Sequence, residues 1–121
     1  MTKRTIFSLV IAAAFMTNAA IAAADTGEGE KLFKKKCGSC HKMDKNVVGP
    51  KLKGVVGRKA GSTDFPNYKA LKDADFVWDE EKLSAWIANP KKFIGKRTAM
   101  VGKVRSAEDR KAIIAYLKSF Q

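Results

Sequence analysis

An all-α domain is expected of this 121-residue chain, and three patterns lead there. Gly29, Phe33 and Cys37 recur every fourth residue, Leu83, Trp86 and Ile87 follow within one turn, and Ile113, Tyr116, Leu117 and Phe120 close the chain. Such spacings gather residues on one face of a 3.6-residue period. The second and third stretches open on residues that start a helix. Between the first and second lies a segment broken by Gly49-Pro50, Gly54, Gly57 and Gly61, which leaves no room for a long helix. The alternation of a half-buried strand is absent around the cysteines.

In chain order, residues 1–24 read as a cleaved secretory signal peptide. Lys3 and Arg4 supply its positive start, Ile6 to Met16 an apolar run broken only by Ser8, and Ala22-Ala23-Ala24 the small residues before a cut. Spanning a bilayer needs about 20 apolar residues, and Thr17 and Asn18 interrupt this run first. A cut after Ala22 is the alternative. Residues 25–121 then form a single domain, 97 of the 121 residues. Gly29 to Cys37 predicts the first helix. Val47 to Gly61 is expected as loop, and Asp64 to Ala74 as irregular chain with a short helix over Tyr68 to Lys72. Asp79-Glu80-Glu81 opens the next helix, with acidic residues at the positive end of its dipole, and Asn89-Pro90 stops it. Ser106 to Asp109 opens the last helix as an approximate capping box.

Cys37-Gly38-Ser39-Cys40-His41 carries the chemistry. Cys37 and Cys40 are the only cysteines and His41 the only histidine. A C-x-x-C-H run is the pattern of covalent haem attachment: thiols three positions apart on a helix face one way, and each can add to one vinyl group. The following imidazole is placed to reach the iron. Three alternatives fare worse. A closed zinc site wants about four protein ligands and no second pair exists. A thioredoxin-like pair wants a βαβ context. A disulfide over so tight a loop removes little chain entropy. Export agrees with haem attachment, which takes place outside the cytoplasm.

With these pieces placed, residues 27 to 120 resemble the class I c-type cytochromes. Beyond the haem motif, the resemblance rests on Gly29 and Phe33, Gly49-Pro50, Gly54-Val55-Val56-Gly57-Arg58-Lys59, Trp78, Asn89-Pro90-Lys91-Lys92-Phe93 and Ile114-Ala115-Tyr116-Leu117-Lys118. It implies a small monohaem fold whose N- and C-terminal helices pack on each other around one covalent haem c. Cys37 and Cys40 would carry the thioethers and His41 would be the proximal iron ligand. The carbonyl of Pro50 would accept the other ring N–H of that histidine. Arg58 and Trp78, joined by Tyr68, match positions beside a buried haem propionate. Gly29 and Phe33 match positions packed against Ile113 and Tyr116.

Met100 is implied as the second axial ligand, and elimination agrees. No other histidine or cysteine exists, Met1 and Met16 leave with the signal peptide, and Met43 lies too near His41 to reach the far face of the haem. Lys96 and Lys103 flank the same loop and are the expected replacements in alkali. The loop departs from the family pattern, since Phe93 to Gly102 has no proline before the methionine and no aromatic residue soon after it. A more mobile loop and a more open haem edge are expected.

The net charge of +12 falls to +10 without Lys3 and Arg4, and draws the protein to something acidic. An exported haem protein rarely meets nucleic acid. Acidic docking faces of redox proteins fit better, with weak contact to an anionic membrane surface. Lys36, Lys42, Lys91, Lys92, Lys96 and Lys103 flank the two ligand segments and are the expected docking cations. The function expected is a soluble, monomeric, periplasmic one-electron carrier and not an enzyme. It would run between a quinol–cytochrome c reductase or periplasmic dehydrogenase and a terminal oxidase or reductase. The alternative is a haem enzyme or gas sensor with an open sixth position.

Overall fold

Helix boundaries follow the capping signals closely. A computed structural model describes residues 26–121, and the expected signal peptide lies outside them. Four helices occur among the described residues: α1 Thr26–Lys36, α2 Glu80–Ala88, α3 Pro90–Ile94 and α4 Ala107–Lys118. No strand forms there; a single bridge pairs Lys59 with Val77. Asp79 caps α2 by accepting the Lys82 amide at 2.7 Å, and Ser106 caps α4 by accepting the Asp109 amide at 3.3 Å. Each such cap is worth about 1 kcal/mol.

Two elements differ from expectation. Asn89-Pro90 does end α2, but it also begins α3: the Asn89 side chain accepts the Lys92 amide, and Pro90 takes the first helical position, where its missing N–H costs nothing. Gly95, left-handed at φ 74°, closes that helix. Conversely, no helix forms over Tyr68 to Lys72. The chain there makes turns only, with one backbone bond from the Ala74 amide to the Leu71 carbonyl. Five residues behind Pro66 cannot repay the cost of a helical nucleus.

The terminal helices pack directly on each other. Gly29 lies so near α4 that a Cβ there would sit 2.2 Å from the Ala112 carbonyl oxygen. One turn on, the Phe33 and Tyr116 rings meet at 5.5 Å between centroids. Ile113, 1% exposed, is the most enclosed side chain of the core, with Leu83, Ile87 and Leu117 around it. Burying each such side chain stabilises by about 1.5–3 kcal/mol. Arg110 ties α4 to what precedes it. Its guanidinium donates to Ser84 Oγ at 3.0 Å and to the carbonyls of Val104 and Arg105 at 2.9 and 2.8 Å.

The long non-helical stretch between α1 and α2 wraps the remaining side of the core. Asn46 holds two of its turns together, donating to Asp64 Oδ1 and accepting the Lys51 amide, both at 3.0 Å. Further along the same stretch a cluster of rings begins at Phe76 and Trp78. Trp78 contacts Phe76 at 5.0 Å, Trp86 at 5.5 Å and Phe93 at 6.0 Å. These rings join the loop to α2 and α3.

Candidate functional site

A cavity of about 560 Å³ opens between the helices and the long loop. Phe33, Leu83, Ile87, Ile113 and Leu117 line it with apolar surface, and all eight side chains singled out in the sequence border it. Cys37, Cys40 and His41 come from the end of α1, and Pro50, Arg58, Tyr68 and Trp78 from the long loop. Met100 comes from the α3–α4 connection. Sequence positions 37 to 100 thus meet at one void.

Past the last turn of α1 the backbone stays wound, since the Cys40 and His41 amides both donate to the Cys37 carbonyl at 3.1 and 3.0 Å. Both thiols are free, Cys37 half-buried and Cys40 exposed. Burial pushes the Cys37 thiol up to about 11, against the pull of Lys36, so it stays protonated at neutral pH. No three His, Cys, Asp or Glu side chains among the described residues converge as a metal site.

His41 is held by the loop. Its Nδ1 lies 2.9 Å from the Pro50 carbonyl oxygen, which can only accept, so Nδ1 carries the proton and Nε2 the lone pair. Burial lowers the pKa of the imidazole, and Arg58 adds to this, while the Pro50 bond opposes it. The ring is therefore neutral near pH 7, the form that binds a metal. Gly49 makes room for it: a Cβ there would lie 2.4 Å from His41 Cε1.

Arg58 shows what the cavity wants. Its two terminal nitrogens donate to the carbonyls of Lys53 and Lys51 at 3.2 and 3.0 Å. Its Nε is buried with no partner. Burial lowers its pKa, yet guanidinium keeps its charge in any protein. Leaving such a donor unpaired costs about 1–3 kcal/mol, and because Arg58 borders the cavity its positive charge would attract a carboxylate placed there. A flat apolar group bearing carboxylates, such as haem, fits this lining. Tyr68 also borders the cavity, with its hydroxyl 2.5 Å from Thr63 Oγ1.

Two contacts at Met100 were not legible in the sequence. The Trp86 indole N–H donates to its sulfur at 3.1 Å, and the Thr98 hydroxyl donates to its carbonyl at 2.6 Å. Trp86 had a core signature, being on the apolar stripe of α2, and nothing in its spacing marks the sulfur contact. Downstream, the Val104 amide donates to the Ile87 carbonyl at 2.7 Å. The loop lacks a proline but is pinned at these three points.

An all-α fold around a cavity that meets a C-x-x-C-H motif defines a haem-attaching class, and comparison with known proteins gives the family. The cytochrome c family profile matches residues 27–121. Cytochrome c of Theileria annulata is 39% identical over 97 residues, covering 78% of this chain and 84% of that protein. Cytochrome c2 of Rhodopseudomonas palustris is 36% identical over 114 residues, covering 80% and 99%. Among solved structures, cytochrome cH from Methylobacterium extorquens superposes with a TM-score of 0.71 at 40% identity, covering 78% of this chain and 98% of that one. The chain belongs to the cytochrome c family, whose members carry one covalently attached haem c and transfer electrons.

Proposed function

We propose that the chain is an exported, periplasmic one-electron carrier whose haem iron is held by His41 and Met100. One observation carries this reading: the cavity bordered by Cys37, Cys40 and a neutral His41 is also lined by Met100. When bound, haem supplies the one-electron couple of its iron. Cys37 and Cys40 fix it covalently, and His41 Nε2 offers a lone pair whose direction is set by the Pro50 bond. Met100 offers a thioether, which favours the ferrous state and raises the potential. Because His41 and Met100 would both hold the iron, no ligand would need to change as charge is gained or lost. Arg58 would hold a carboxylate of the haem at the cavity.

Partners are read as acidic redox proteins on either side of a respiratory chain. Lys36 and Lys103 stand at the cavity itself. Lys91, Lys92 and Arg97 join Lys103 around a neighbouring recess of about 600 Å³ on the Met100 loop. Val48 and Val101 also line the cavity and are 71% and 80% exposed. Apolar contact inside a cationic rim suits brief docking against a carboxylate-rich face, with charge setting the association rate.

Stopped-flow electron transfer to an acidic redox protein tests this. The second-order rate should fall steeply as the Debye length shrinks from about 30 Å at 0.01 M salt to about 10 Å at 0.1 M. Reversing charge at Lys91 and Lys92 should lower association with little change in dissociation. A rate indifferent to salt would contradict the docking face, and ready carbon monoxide binding by the ferrous protein would favour a sensor.

A further inference from the structure

The guanidinium of Arg110 gathers three elements at one point. Its Nε donates to Ser84 Oγ on α2 at 3.0 Å, and one terminal nitrogen donates to the carbonyls of Val104 and Arg105 at 2.9 and 2.8 Å. Val104 ends the segment that follows Met100, and both of its backbone polar groups are taken, since its amide donates to the Ile87 carbonyl of α2 at 2.7 Å. Its side chain is 5% exposed, within the core. Four residues separate it from Met100, a leash of about 14 Å at full stretch. Local helix chemistry does not ask for a cation here. Arg110 stands in the opening turns of α4, near the positive end of the dipole, where Glu108 and Asp109 are favoured and a positive charge is not. A half-buried fork of N–H donors set against three oxygens from outside α4 accounts for it.

We propose that Arg110 is a positioning residue for Met100: by holding the carbonyls of Val104 and Arg105 it fixes the exit of the methionine loop and limits how often the sulfur leaves the iron. The proposal rests on Met100 as an iron ligand. Gly95 closes α3 five residues before Met100, so α3 anchors the loop on one side and the Arg110 node anchors it on the other. No proline stiffens the stretch between. Thr98 and Trp86 act on Met100 itself and leave the exit to Arg110 and Ile87. Releasing the exit lets residues up to Ser106 move with the methionine, and conformers with the sulfur off the iron multiply. Lysine cannot stand in, since its ammonium is a single point of charge without the planar fork.

The test uses the haem-loaded ferric protein with imidazole as the probe, which takes the sixth position on the iron when Met100 leaves and abolishes the far-red sulfur-to-iron band. Arg110→Met keeps the aliphatic stem and loses the donors. A ligand that binds only the open form reports its population, so this variant should bind imidazole about three- to tenfold more tightly. Its Val104 amide should exchange with solvent faster by a similar factor, and Arg110→Lys should behave the same way. Gly29→Ala, destabilised at the α1–α4 seam instead, should bind imidazole as the parent does. Parental affinity in Arg110→Met or in Arg110→Lys overturns the proposal, and so does an equal gain in Gly29→Ala. The unaltered protein gives a reading that needs no folded variant: its Val104 amide should be protected, and exchange as fast as in an unstructured chain overturns the tie. A parent without the far-red band would remove Met100 as ligand and this proposal with it; failure of the proposal alone leaves the parent's band in place.

Discussion

Gly49 and His41 touch so closely that no other residue fits: a Cβ on Gly49 would lie 2.4 Å from Cε1 and 2.9 Å from Nδ1 of the ring. The backbone here is also tied down, since the Gly49 amide donates to the Cys40 carbonyl at 2.7 Å. Gly49→Ala should therefore push the imidazole away from Pro50 rather than bend the loop. Overpacking of this kind costs about 1–3 kcal/mol. Guanidinium unfolding of the haem-loaded variant should show that loss, with a weakened His41–iron bond in resonance Raman spectra. Wild-type stability and an unshifted iron–histidine band would contradict the placement.

The seam between α1 and α4 makes a second prediction. A methyl at Gly29 meets the Ala112 carbonyl oxygen at 2.2 Å, and backbone cannot rotate aside as a side chain can. Gly29→Ala gains helix propensity worth about 1 kcal/mol, so a purely local view predicts stabilisation. The contact predicts the opposite sign, with the helices forced apart and the melting temperature lowered by several degrees. A thermal melt by circular dichroism decides between them.

Arg58 carries a half-buried charge whose Nε is buried without a partner. Its cation should hold a haem carboxylate ionised and disfavour the ferric state, so Arg58→Leu should lower the reduction potential. The carboxylate pKa should then rise toward neutrality. Losing a proton adds negative charge, which stabilises ferric iron, so the variant's potential should fall as pH rises through that pKa. Redox titrations from pH 5 to 9 check it, and a potential in the variant as flat as in the parent would contradict the pairing.

Much of this was legible in the residues because capping and spacing are local. Asp79 and Ser106 mark their helices by side-chain chemistry alone, and Gly29, Phe33, Ile113 and Tyr116 mark one seam by periodicity. The short helix α3 escaped notice because Asn89-Pro90 reads equally as a stop, and Pro90 is compatible with both roles. The expected turn of helix at Tyr68 failed because favourable residues over so short a run have no packed face to hold them. Contacts across sequence were the hardest. That Trp86 finds the Met100 sulfur, or that Thr98 pins the Met100 carbonyl, depends on how α2 and the following loop meet, which no local pattern encodes. The missing proline suggested a looser loop; Thr98, Trp86 and the Val104–Ile87 bond supply restraints from elsewhere.

The proposed hold on the iron brings together His41 and Met100, from two segments far apart in the sequence. The ferric absorption spectrum of the haem-loaded protein and of Met100→Ala, read beside their reduction potentials, tests it most directly. The parent should be low-spin with the weak far-red sulfur-to-iron band. Met100→Ala should lose the band, have a lower potential and bind carbon monoxide when reduced. A variant with the parent's spectrum and potential would contradict it.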